Sequence, residues 1–141
     1  PNRRERMWPE MEIVISYENG KVPVTVFHIK GEIAAEASEQ LEQQAQDVFE
    51  TGTHNLVLDL TDVAFISSGG LRSIHYIFTL LHSDSPEDAK SMRKGILAGT
   101  YRSPHLKLVN PSRNVTRALQ TAGYDMFLET YSDLQKAIAS F

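Results

Sequence analysis

The spacing of apolar positions changes several times along the chain, and each change marks an element. Glu12–Tyr17 and Val22–Lys30 read as strands. In the second, Val22, Val24 and Val26 alternate with Pro23, Thr25 and Phe27, the two-residue period of a strand rich in β-branched side chains. Glu18-Asn19-Gly20-Lys21 joins them, and its Asn-Gly pair supplies the positive φ values of a tight hairpin. Pro23 has no N–H for a ladder, which places the start of its strand at an edge or bulge. Gly31 ends the strand. From Ala34 to Glu50 the period lengthens. Ala37, Leu41, Ala45, Val48 and Phe49 form one helical stripe, opposite a face of Glu36, Glu39, Glu42 and Asp47. Gly52 follows as a stop.

Leu56–Leu60 is a short, nearly continuous apolar run, the pattern of a strand buried on both faces. Thr61–Ile66 carries the chain to Ser67-Ser68-Gly69-Gly70. A helix is predicted from Gly70, with Leu71, Ile74, Ile77, Phe78 and Leu81 inward and Arg72, Ser73 and Tyr76 outward. Ser85-Pro86-Glu87-Asp88 combines a capping serine, a first-turn proline and acids, and predicts a short extra helix over Pro86–Lys94. Gly95–Pro104 reads as a loop. Leu106–Val109 is a strand, and Asn110-Pro111 reads as the cap of a helix whose apolar face is Val115, Ala118, Leu119 and Ala122, closed by Gly123. Met126–Leu128 reads as a brief strand. Ser132-x-x-Gln135 reads as a capping box opening a last helix, with Leu134, Ala137, Ile138 and Phe141 inward. The order β-β-α-β-α-(insert)-β-α-β-α predicts an α/β fold: a mixed sheet with about four helices and right-handed crossovers in its parallel part.

Composition narrows the possible chemistry. A chain of 141 residues fits one domain with a real core. A net charge of −4 favours neither nucleic acid nor a membrane surface as partner. The absence of cysteine excludes disulfides, thiolate metal sites and cysteine nucleophiles, and fits a reducing cytoplasm. No apolar run approaches the roughly 20 residues that span a bilayer. Gly69-Gly70 lacks the remainder of a phosphate-binding loop, and Ser67 and Ser68 lack a hydrolase elbow. Among the histidines (His28, His54, His75, His82 and His105), only His75 and His82 share a helical spacing, too little for a metal site. Asp59 reads as a structural residue at a strand end and Asp62 as a turn residue. The expectation is a protein that is not an enzyme and has no cofactor or metal.

In this order the elements resemble the STAS domain, the fold of bacterial anti-sigma factor antagonists (anti-anti-sigma factors). The resemblance rests on Gly31-Glu32-Ile33, on Leu58-Asp59-Leu60 with Phe65-Ile66-Ser67-Ser68-Gly69-Gly70-Leu71-Arg72, and on Leu108-Val109-Asn110-Pro111-Ser112. Leu119-x-x-x-Gly123 and Tyr131-Ser132-x-Leu134-x-x-Ala137 follow in place. It covers residues 10–141 except an insert at about 83–104. Residues 1–9 read as a flexible arm or an appended remnant, with Trp8 as the first ordered anchor.

The family's turn is usually Asp-Ser-Ser/Thr/Ala-Gly-Leu, and the hydroxyl residue after the aspartate is phosphorylated. Laid over this chain, Ser67 stands in the aspartate's place, Ser68 in the phospho-acceptor's, and Gly70-Leu71 in that of the Gly-Leu. The resemblance implies phosphorylation at Ser68 before Ser67. It also implies a partner-binding surface of Ser67, Ser68, Gly69, Gly70, Leu71 and Arg72. The implied partner is an anti-sigma factor with serine-kinase activity, met in the cytoplasm, through which sigma-factor-dependent transcription is regulated without direct DNA or membrane contact. The missing aspartate and the insert are departures. They support an alternative, a STAS docking module of a transport complex or larger sensory assembly that is not switched by phosphate.

Overall fold

The computed structural model describes residues 11–83 and 86–141. The expectations for residues 1–9, Trp8 included, and for Ser85 as a cap therefore lie outside the described residues. β1 (Glu12–Asn19) and β2 (Pro23–Ile33) form an antiparallel hairpin. Then come α1 (Ala35–Glu50), β3 (Leu56–Ile66), α2 (Ser68–Leu81), α3 (Pro86–Ala98), β4 (Leu106–Val109), α4 (Arg113–Thr121), a 3-10 turn (Tyr124–Met126), β5 (Glu129–Tyr131) and α5 (Leu134–Ala139). The sheet runs β1-β2-β3-β4-β5, and every pair after the hairpin is parallel. The fold is thus the predicted mixed α/β arrangement, with five α-helices among the described residues once α3 is counted.

Alternation along the strands builds two cores. Phe27, Ile29, Leu56, Leu58, Leu106 and Leu108 face one way and meet Leu41 and Val48 of α1, Ile74 and Ile77 of α2, and Val115 and Leu119 of α4. Val24, Val26, Val57 and Val109 face the other way and meet Ala137 and Ile138 of α5. Being only six residues long, α5 covers this second face over the first half of β2, and beyond it Lys30 of β2 and Val14 of β1 are exposed. Lys107 is buried on the α5 side. Its charge is met by Glu129 Oε1 at 3.1 Å, the Ser140 carbonyl at 3.4 Å and the rings of Tyr131 and Phe141.

Several boundaries differ from the sequence expectation, each for a local reason. The hairpin closes through three residues, 20–22, between the paired Asn19 and Pro23, and neither Asn19 nor Gly20 has positive φ. Gly20 is needed for space instead: a Cβ there would lie 3.0 Å from Ile138 Cγ2 of α5. β3 continues to Ile66 because β2 runs far enough to pair with it as far as Ile33↔Ile66, with irregularities near His28 and Gly31. Asp62 therefore lies inside a strand, not a turn. The helix after the serines starts at Ser68, two residues before the expected Gly70. Helix α3 extends four residues past Lys94, and Gly95 sits inside it, close against Tyr101.

Asn110 does not cap α4. It adopts a left-handed φ of 53° at the end of β4, where asparagine is tolerated, and Ser112 caps by accepting from Val115 N at 3.2 Å. Met126–Leu128 is not a strand. Phe127 packs its ring on Phe78 (4.9 Å) and Tyr124 (5.6 Å), while the ladder with β4 forms at Glu129–Tyr131. The cap of α5 is Asp133, accepting from Gln135 N at 2.8 Å, in place of the expected Ser132 box.

Candidate functional site

The serine turn sits where β3 gives way to α2. Ser67 is extended (φ −86°, ψ 172°) and caps the helix, its Oγ accepting from Gly70 N at 3.1 Å. The same hydroxyl donates to the Ile33 carbonyl at 3.2 Å, and the Ser67 backbone N–H reaches that carbonyl at 2.9 Å. The end of β2 and the start of α2 are thereby joined through one residue. Gly70 explains how closely they meet: a Cβ there would lie 2.5 Å from Ile33 O and 2.7 Å from Ile66 Cγ1. Gly69 brings α2 against α1, where a Cβ would meet Ser38 Oγ at 3.2 Å.

Ser68 has a different environment. It is the first residue of α2, it is exposed, and among the described residues its hydroxyl forms no hydrogen bond. The capping task falls to Ser67 alone, which leaves Ser68 Oγ open to solvent beside the free N–H groups of a helix start. Phe65 is 47% exposed, three residues before Ser68, where β3 has run past the end of β4. Arg72 is exposed one turn along α2, and Leu71 is half-buried. The structure thus gathers Ser67, Ser68, Gly69, Gly70, Leu71 and Arg72 at one end of the sheet, with only Ser68 and Arg72 fully presented.

Ser73 does not point outward as expected. It is fully buried between α1 and α2, with its Oγ 2.6 Å from Glu42 Oε2 and 3.2 Å from the Ser38 carbonyl. The outward reading follows from polarity alone, whereas a hydroxyl with two acceptors in reach can be buried at little cost. On the far side of α2, Tyr124 Oη donates to the Leu71 carbonyl at 3.0 Å. Burial raises the Tyr124 pKa above the usual phenol value, and the neighbouring Arg72 charge partly counters this. Nothing in the sequence singles out Tyr124, because its partner lies 53 residues away.

The histidines have separate settings. His75 is exposed near Tyr124 (ring centroids 6.2 Å), while His82 is buried, with Nδ1 donating to the Phe78 carbonyl at 2.7 Å. His28 lies on the face left open by α5, inside a polar ladder across three strands. Ser16 Oγ is 3.1 Å from His28 Nε2, and Asp59 Oδ2 is 3.0 Å from Nδ1. Asp59 Oδ1 accepts from Thr61 N and Thr61 Oγ1, at 3.1 and 2.6 Å. Asp59 is thus structural, as expected, but it sits mid-strand with three partner atoms rather than at a strand end.

A family model described as the STAS domain matches residues 15–85. A search of curated proteins found no match. Among solved structures, an anti-sigma factor antagonist from Mycobacterium paratuberculosis is similar at 21% identity, over 93% of this chain and 93% of that one, with a TM-score of 0.65. The anti-sigma factor antagonist SpoIIAA in its unphosphorylated form is 16% identical over 89% and 94%, with a TM-score of 0.50. The Bacillus cell fate determinant SpoIIAA in its phosphorylated form is 15% identical over 87% and 96%, also at 0.50. At these identities the structural likeness establishes the fold.

Proposed function

The chain belongs to the STAS domain family, and from that premise we propose that it is an anti-sigma factor antagonist switched by phosphorylation of Ser68. The observation that carries this reading is the division between the two serines. Ser67 is tied into the scaffold, whereas Ser68 is exposed on the first turn of α2 with a free hydroxyl. Two solved relatives, one unphosphorylated and one phosphorylated, carry names that fit such a switch.

In this reading the unmodified turn, with Gly69, Gly70, Leu71 and Arg72, binds an anti-sigma factor in the cytoplasm and thereby frees a sigma factor. The partner's serine-kinase activity transfers phosphate to Ser68. The roughly −1.5 to −2 charges added there are tolerated by the start of α2, so the domain stays folded while the partner is excluded by bulk and charge. The protein performs no catalysis of its own. Residues 10–141 act as one domain, with residues 83–104 as an insert outside the switching surface.

The test is incubation with a kinase-type anti-sigma factor and ATP, followed by mapping of the phosphate, alongside binding by Ser68→Ala and Ser68→Asp variants. Phosphate on Ser68, with weaker binding by Ser68→Asp than by Ser68→Ala, is the expected result. No phosphate on Ser68 and equal binding by both variants would leave the docking-module reading in its place.

A further inference from the structure

We propose that Arg72 is a clamp in cis for phosphate on Ser68: modification draws the Arg72 guanidinium onto the phosphate, and the surface loses its free cation as it gains the anion. This rests on the reading of Ser68 as the modified residue. Ser68 and Arg72 are four apart within α2, so they share one face, one turn apart. An acid placed four residues before a cation is the favourable order on a helix, and the anion at Ser68 also sits at the end of α2 where the dipole favours negative charge.

Both side chains are available. Ser68 is exposed and its hydroxyl has no partner among the described residues. Arg72 is exposed and forms no ion pair among the described residues, so no existing bond must be broken to engage a phosphate. Ser67 already serves as the cap, which spares Ser68 that task. Tyr124, held against α2 by its bond to the Leu71 carbonyl, sits close enough for Arg72 to influence its ionisation. An arginine also suits the task better than a lysine, because its planar fork can donate two parallel bonds to phosphate oxygens.

The consequence for regulation is a change at two points. The unmodified surface shows Phe65, a hydroxyl and a free guanidinium. The modified surface shows Phe65 and a phosphate neutralised in part by Arg72. A partner carboxylate that meets Arg72 in the first state loses its cation and faces an anion in the second.

The clamp can be tested without kinase or partner. Phosphoserine is installed at position 68 of the full chain by genetically encoded incorporation, and the phosphate is titrated by phosphorus NMR. The other ionisable groups presented around this end of α2 are His75 on the same helix, Glu36 and Glu39 on α1, Glu32 near the end of β2, Asp62 within β3, and Tyr124 and Asp125 in the 3-10 turn. They remain constant between the variants compared. The second ionisation of the phosphate should fall below the value near 6 expected for free phosphoserine. Arg72→Gln should raise it by about 0.4 unit, the scale of one helical ion pair, and Arg72→Lys should restore part of the difference. Identical titrations for Arg72 and Arg72→Gln would overturn the clamp, showing that the helix terminus alone receives the phosphate. The switch itself fails by a separate result: the phosphorylated chain binding an anti-sigma factor as tightly as the unmodified one.

Discussion

Ser67 holds the Ile33 carbonyl twice, through its backbone N–H at 2.9 Å and its hydroxyl at 3.2 Å, while its Oγ also receives Gly70 N. Ser67→Ala removes a helix cap and should cost about 1 kcal/mol or slightly more. Ser67→Asp keeps an acceptor for Gly70 N and should cost less. Ser68→Ala removes no hydrogen bond and should stay within about 0.5 kcal/mol of the parent. Urea unfolding of the three variants ranks them, and a Ser68→Ala variant less stable than Ser67→Ala would contradict the division of roles.

Gly70→Ala sets two effects against each other. Helix propensity alone would favour alanine by about 1 kcal/mol. A Cβ at 2.5 Å from Ile33 O and 2.7 Å from Ile66 Cγ1 is far inside contact distance, and the nearest atom is backbone that cannot swing away. A contact this short with backbone puts the overpacking cost at the upper end of the usual range of about 1–3 kcal/mol, so after the propensity gain of about 1 kcal/mol the net change should be destabilising by about 2 kcal/mol. A stabilised Gly70→Ala protein in the same unfolding assay would refute the close approach.

Asp59 accepts from His28, from Thr61 N and from Thr61 Oγ1. Asp59→Ala leaves the partly buried His28 ring and the exposed Thr61 donors with one acceptor fewer and should destabilise by about 1 kcal/mol. Asp59→Asn retains one acceptor oxygen and should lose less. Equal stability of the parent and both variants would mean that the ladder contributes nothing.

Tyr124 gives a pH dependence with a definite sign. Burial is the larger influence and holds its phenol pKa above the ordinary value of 10.0, with the Arg72 charge opposing. A raised pKa means that the neutral phenol is favoured by folding. The associated stability is complete below pH 10 and fades as pH rises through the folded-state value. Ultraviolet titration should show a late-ionising tyrosine in the parent that Tyr124→Phe lacks. The same variant should lose about 0.5–1.5 kcal/mol at neutral pH through the bond to Leu71. A full complement of normally titrating tyrosines in the parent would contradict the assignment.

Phe65 is exposed beside the serine turn at no evident structural benefit. If the turn is the docking surface, this ring is its natural anchor, since truncation of a buried aromatic hot spot typically costs 2 kcal/mol or more. Phe65→Ala should weaken anti-sigma factor binding by roughly tenfold or more in calorimetry while shifting stability by no more than about 0.5 kcal/mol. Unchanged affinity would place the docking surface elsewhere.

What could be read from the sequence depended on the range of the interaction. Elements with strong periodicity, such as α1 with Leu41, Ala45 and Val48 and the buried Leu56–Leu60 run, were legible because their signal is local. So was the overall β-β-α-β-α order. Caps were misplaced by one or two residues at Asn110 and Ser132, because several neighbouring residues were able to cap and only the path of the incoming chain selects Ser112 and Asp133. Ser73 was misread because its acceptors come from another helix. The Ser16–His28–Asp59 ladder joins positions 12 and 31 residues apart, which no local pattern links. At the site, sequence placed the serines together and left open which of them caps. That required the position of the Ile33 carbonyl.

The double hold on that carbonyl, together with a glycine that leaves no room for even one added carbon, gives the backbone at the turn no slack. A group attached to Ser68 therefore has no loop to reorder and no helix to unwind. Response time follows from this. If Ser68 is the switch, the step from one state to the other is set by the chemistry that adds or removes the group and by the departure of the partner, with no conformational relaxation interposed between them.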